Sequence, residues 1–121
     1  MSATRSDWLV CCLCAQWCGT CRDYEAAFAQ TRDSHAPAVR FVWYDIEEHE
    51  ELLEELGIDV ETFPTLLITR ADVPVFFGAV TPHAATVARL IEAAVAGDLK
   101  PVSDPPAIEL ARRLAVPPGV K

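Results

Sequence analysis

Trp8-Leu9-Val10-Cys11-Cys12-Leu13-Cys14-Ala15-Gln16-Trp17-Cys18-Gly19-Thr20-Cys21 is the stretch on which the fold turns. Trp8 to Ala15 is continuously apolar and short, as expected for a strand buried on both faces of a parallel-type sheet. Behind it Cys18, Cys21, Tyr24, Phe28 and Thr31 recur at intervals of three and four, the period of a helix laying one face on a core. A strand therefore feeds a helix directly, and two cysteines sit at the junction.

Working outward, Ala38 to Tyr44 follows Pro37 and is rich in β-branched and aromatic residues, which predicts a second strand, parallel to the first. Glu48 to Leu56 reads as a short acidic helix with Leu52, Leu53 and Leu56 inward and Gly57 as its stop. Thr65 to Thr69 and Val75 to Gly78 flank Arg70-Ala71-Asp72-Val73-Pro74 and form a hairpin at a sheet edge, where Pro74 is tolerated. Thr81 followed by Pro82 marks an N-cap and first turn, and Val87, Leu90, Ile91, Ala94 and Val95 make a helical stripe closed by Gly97. Residues 1–97 are thus one domain. Residues 98–121 are a Pro-rich tail with a possible short helix from Ala107 to Ala115, which docks through Ile108, Leu110 and Leu114 or stays free.

The 121 residues allow one compact domain, and the net charge of −8 opposes binding to nucleic acid or anionic membranes, which are held by Lys and Arg. The acidic run from Asp45 to Glu51, with Glu54 and Glu55, reads as a solvated helix face. Trp8 to Ala15 is the longest apolar run, far short of the roughly 20 residues of a membrane helix. With little positive charge before it, it does not read as an export signal either. Five cysteines, Cys11, Cys12, Cys14, Cys18 and Cys21, crowd into eleven positions and leave at least one unpaired, unlike a secreted disulfide scaffold. A reducing cytoplasmic setting is expected.

In Trp17-Cys18-Gly19-Thr20-Cys21 the two thiols are close enough to bridge, and the first lies where the helix begins. The free amides and partial positive charge there favour a thiolate and pull the Cys18 pKa below the ordinary value of about 8.5. Cys18 is then the attacking sulfur, and Cys21, one turn further in, resolves the mixed disulfide. Gly19 permits the tight entry to the helix, and Thr20 sits where the thiolate is tuned.

Trp17-Cys18-Gly19-Thr20-Cys21 and the later Phe63-Pro64-Thr65 together resemble the thioredoxin family, over about Trp8 to Val95. The resemblance implies a thioredoxin-like α/β fold, a small mixed sheet of about four strands with helices on both faces. It implies a cis peptide bond before Pro64, which exposes backbone to an extended substrate and keeps metal off the dithiol. Gly78 matches another loop of the substrate groove, beside Trp17 as an apolar rim. It further implies a redox-active Cys18–Cys21 disulfide with no other cofactor or metal, and disulfide-containing protein substrates. A thiol reductant such as a thioredoxin reductase or glutathione would recharge it, and the chain would be a monomer or weak dimer.

Three departures from the family stand out. Only residues 1–7 precede Trp8, so the usual N-terminal strand and helix are lacking from this sequence, and the strand from Ala38 to Tyr44 is expected at an edge. Cys12 stands where the family keeps a buried aspartate, and Trp43 where it keeps a lysine. By the period of two, Cys12 and Cys14 share one strand face and Cys11 faces the other. Core packing is the plain reading of all three, and the sharper one has Cys12 approach Cys21 to store or relay oxidation. The expected function is a thiol–disulfide oxidoreductase working in the reducing direction. The alternatives are a catalytically weak binding or scaffold module and a metal or cluster protein using Cys12, Cys14, Cys18 and Cys21.

Overall fold

A computed structural model describes residues 8–15, 19–35, 39–58, 60, 64–71, 73–81 and 83–115. The chain runs β1 (Trp8–Cys14), α1 (Gly19–His35), β2 (Val39–Asp45), α2 (Glu50–Leu56), β3 (Thr65–Arg70), β4 (Val73–Ala79), α3 (Ala84–Ala96) and α4 (Pro105–Ala115). The four strands form one mixed sheet in the order β2-β1-β3-β4. β1 pairs in parallel with β2 and antiparallel with β3, and β3 pairs antiparallel with β4.

β1 is central because its side chains are apolar on both faces, and Val10 to Cys14 are all 0% exposed. Its alternation divides the core. Val10, Cys12 and Cys14 look toward α1 and α3, where they join Cys21, Tyr24, Phe28, Val87, Ile91 and Ala94. Cys11 and Leu13 look the other way, into a second cluster with Tyr44, Leu53, Leu67, Leu110 and Ala111. Phe28 fastens α1 to β2 through edge-to-face contacts with Phe41 and Trp43, at 5.4 and 5.5 Å between ring centroids. The strand of Val39–Asp45 does lie at one edge of this sheet.

Within the Pro-rich segment, residues 98–115 dock on the domain. A backbone bond from Val102 N–H to the Pro74 carbonyl, 2.7 Å, carries the chain past edge strand β4 to the opposite face. There α4 buries Ala107, Leu110 and Ala111 completely, with Leu114 packed beside them and Ile108 half-buried. Ala107 and Ala111, one turn apart on the buried face beside Leu110, let the helix approach the sheet closely. α2 and α4 thus cover one face and α1 and α3 the other.

Some element ends differ from the sequence reading. The strands of the hairpin run further than expected, to Arg70 and from Val73, where Ala71 takes a left-handed φ of 56° and an irregularity at Ile68/Thr69 absorbs the register shift. α2 starts at Glu50, after a turn. α3 starts after His83 and not after Thr81, whose hydroxyl meets that of Thr86 at 2.7 Å. Gly97 closes α3 as expected, at φ 84°, where its own N–H and that of Asp98 take up the last helical carbonyls. Among the described residues, no helix is long and apolar enough to cross a membrane.

Candidate active site: a buried cysteine junction

The C-terminal end of β1 and the first turn of α1 meet at Cys14 and Cys21, whose sulfurs form a disulfide across a Cα–Cα distance of 5.7 Å. Both residues are fully buried. Each is held by backbone on its own side. The Cys14 carbonyl accepts the Ile46 N–H at 2.9 Å, extending the parallel ladder one step beyond β2. The Ala15 N–H donates to Cys21 Sγ at 3.3 Å. Cys12 lies two residues back on the same face, its sulfur 3.9 Å from that of Cys14.

The Cys18–Cys21 bridge expected from the motif is therefore not the bridge in this structure, where Cys21 is joined to Cys14. Trp17, Cys18 and Phe63 lie outside the described residues, and so does the peptide bond before Pro64. Gly19 and Thr20 open α1 and are exposed, with Cys21 as its third residue. It is Cys14, at the strand end nearest the helix, that reaches Cys21; Cys12 stands behind Cys14. The four-thiolate alternative needs Cys14 and Cys21 as separate ligands, whereas here their sulfurs are bonded to each other. No group of three or more candidate ligands converges among the described residues.

Pro64 and Thr65 are buried, and the β1–β3 register ends at Leu13–Thr65, so Pro64 flanks Cys14 one step beyond the ladder. The Pro64 carbonyl accepts the Val80 N–H at 3.0 Å, tying this corner to the end of β4. Gly78 is half-buried on β4 opposite Leu66. Trp43 is half-buried and shares with Ala15, Cys21, Arg22 and Glu25 a cleft of about 290 Å³, which leads from solvent to the Cys21 side of the bridge.

Cys11 and Cys12 are free thiols. Burial pushes the Cys11 thiol well above its ordinary value, with a further push from Cys12, and raises that of Cys12 from 9.0 to about 12. Both stay protonated and unreactive at neutral pH. A thiol with a raised folded-state pKa lends stability that is intact below the unfolded value and drains away as pH climbs through the folded one. Urea midpoints are therefore expected to fall as pH rises from about 9 toward about 12, and Cys12→Ala to flatten that fall; an unchanged slope would refute the assignment. The Tyr24 hydroxyl, buried and raised by the same causes, acts in the same direction.

The thioredoxin family model matches residues 2–91. The chain belongs to the thioredoxin family. Among solved structures, it is similar to chloroplastic thioredoxin z, with a TM-score of 0.65 and 22% identity over 78% of this chain and 84% of that one. It is also similar to the germline-specific thioredoxin Deadhead of Drosophila melanogaster, with a TM-score of 0.63 and 20% identity over 75% and 84% of the two chains. Mitochondrial thioredoxin 3 of Saccharomyces cerevisiae, in its oxidised form, gives 0.61 and 22% over 74% and 80%. No curated protein matches the chain.

Proposed function

We propose that the protein is a thiol–disulfide oxidoreductase that reduces disulfides in protein or small-thiol partners through Cys18 and Cys21. The observation that carries this reading is the place of Cys21, the third residue of α1, its sulfur already engaged in a disulfide and taking a hydrogen bond from Ala15 N–H. The Cys18 thiolate attacks one sulfur of a substrate disulfide and expels the other as a thiolate. The Cys21 thiolate then attacks Cys18 Sγ, the second substrate sulfur leaves, and the chain carries the two-electron oxidation as a disulfide. Ala15 N–H offers the Cys21 thiolate a hydrogen bond as it forms, the kind of contact that favours ionisation. With Cys12 in the aspartate position and its thiol held protonated, water in the cleft beside Trp43 takes the proton from Cys21.

A reducing compartment such as the cytoplasm would recharge the dithiol, with glutathione or a thioredoxin reductase as the electron source. Turnover of a disulfide-bridged peptide by dithiothreitol is expected to accelerate when the protein is added. Titration against glutathione buffers should give one reversible two-electron transition within roughly −270 to −120 mV, the span of comparable dithiols. A rate no faster than dithiothreitol alone would end this reading.

A further inference from the structure

We propose that Cys14 is a second disulfide partner of Cys21, so that the bridge can pass from Cys18–Cys21 to Cys14–Cys21 and leave Cys18 as a lone thiolate. The inference rests on the dithiol reading above and adds a state to it. In that state the Cys18 thiolate attacks disulfide-containing partners, expelling one of their sulfurs as a thiolate, but the mixed disulfide so formed is not resolved.

The geometry supports a built pair. A Cα–Cα distance of 5.7 Å lies in the middle of the range that bridges without moving backbone. Both frames are already fixed, Cys14 by the Ile46 N–H on its carbonyl and Cys21 by the hydrogen-bonded turns of α1. Cys14 and Cys12 differ in what they can do: both face α1, but only Cys14 stands at the strand end where the helix begins. Cys12, 3.9 Å behind it, offers its S–H toward Cys14. A bridge fully buried on both sides is shielded from bulk reductant, and the cleft by Ala15, Arg22, Glu25 and Trp43 is the way in.

The transfer is an exchange and needs no outside oxidant. Cys14 gives up its proton, its thiolate attacks Cys21 Sγ, the Cys18–Cys21 bond breaks, and Cys18 leaves as a thiolate. One disulfide is lost and one gained. A thiol at a helix N-terminus is a good leaving group because its thiolate is stabilised, which drives the exchange in this direction.

The test is disulfide mapping after equilibration with oxidised glutathione, acid quenching and blocking of free thiols. Cleavage after Leu13, Trp17 and Arg22 puts Cys14 on peptide 14–17 and Cys18 and Cys21 together on peptide 18–22. The native chain is expected to give the two peptides joined, beside peptide 18–22 bridged internally. Cys18→Ser should fall from four free thiols to two and yield only the joined pair. Cys14→Ser should yield only the internal bridge. The native digest needs no variant to fold, and an internal bridge alone at every glutathione ratio overturns the proposal, as does a folded Cys18→Ser chain that keeps all four thiols. A folded Cys14→Ser chain with no bridge counts against the Cys18–Cys21 dithiol itself, and the exchange falls with it.

Discussion

A Cys18→Ser chain will lose disulfide reduction by several orders of magnitude, while Cys21→Ser will hold on to substrate as a stable mixed disulfide. The asymmetry follows from the order of events. Without the first nucleophile no step begins, and the other cysteines do not replace it: Cys11 and Cys12 are buried and held protonated, and Cys14 and Cys21 are buried and bridge to each other. Removing Cys21 leaves the first attack intact and deletes only the second. Gel-shift or mass detection of the mixed species, beside the rate of peptide-disulfide turnover, checks both arms. Equal loss in the two variants with no trapped species would mean that Cys21 does not resolve.

Leu110→Ala will cost about 2–5 kcal/mol of stability, a large part of what a domain of this size possesses. Leu110 is 0% exposed in the second cluster, against Leu13, Leu67 and Tyr44, so its removal leaves a hole between α4 and the sheet. Val95→Ala is the contrast, since Val95 is 53% exposed, and a change within about 0.5 kcal/mol is expected there. Urea denaturation of the two variants measures the difference. A Leu110→Ala chain as stable as its parent would mean that α4 is dispensable.

Much of the fold was legible because local signals agreed. The continuous apolar run of β1 could only sit mid-sheet, and the spacing of Cys21, Tyr24, Phe28 and Thr31 matched the buried face of α1 residue for residue. The hairpin's length was harder to read, since an alanine at positive φ carries no turn signature, unlike glycine. The docking of α4 was legible in part, through Leu110 and Leu114; Ala107 and Ala111 complete the buried face at helical spacing, but the two alanines look neutral until something is pressed against them. The site divided in the same way. Period-two alternation placed Cys12 and Cys14 on one face, yet could not say which would meet Cys21. That choice depends on how far along the strand the helix turns back, a distance of roughly 7 Å between alternate residues, set by the whole β1–α1 crossover.

The route of the chain past β4 also bears on how the protein comes into being. Synthesis delivers the sheet and α2 before α4, so the part of the flank of Cys11, Leu13 and Leu67 that α4 covers stays open until Leu110 has been made. The matched family segment, residues 2–91, emerges before that cover exists. A nascent chain at that stage shows an apolar face to whatever attends it. That face closes when α4 docks on it.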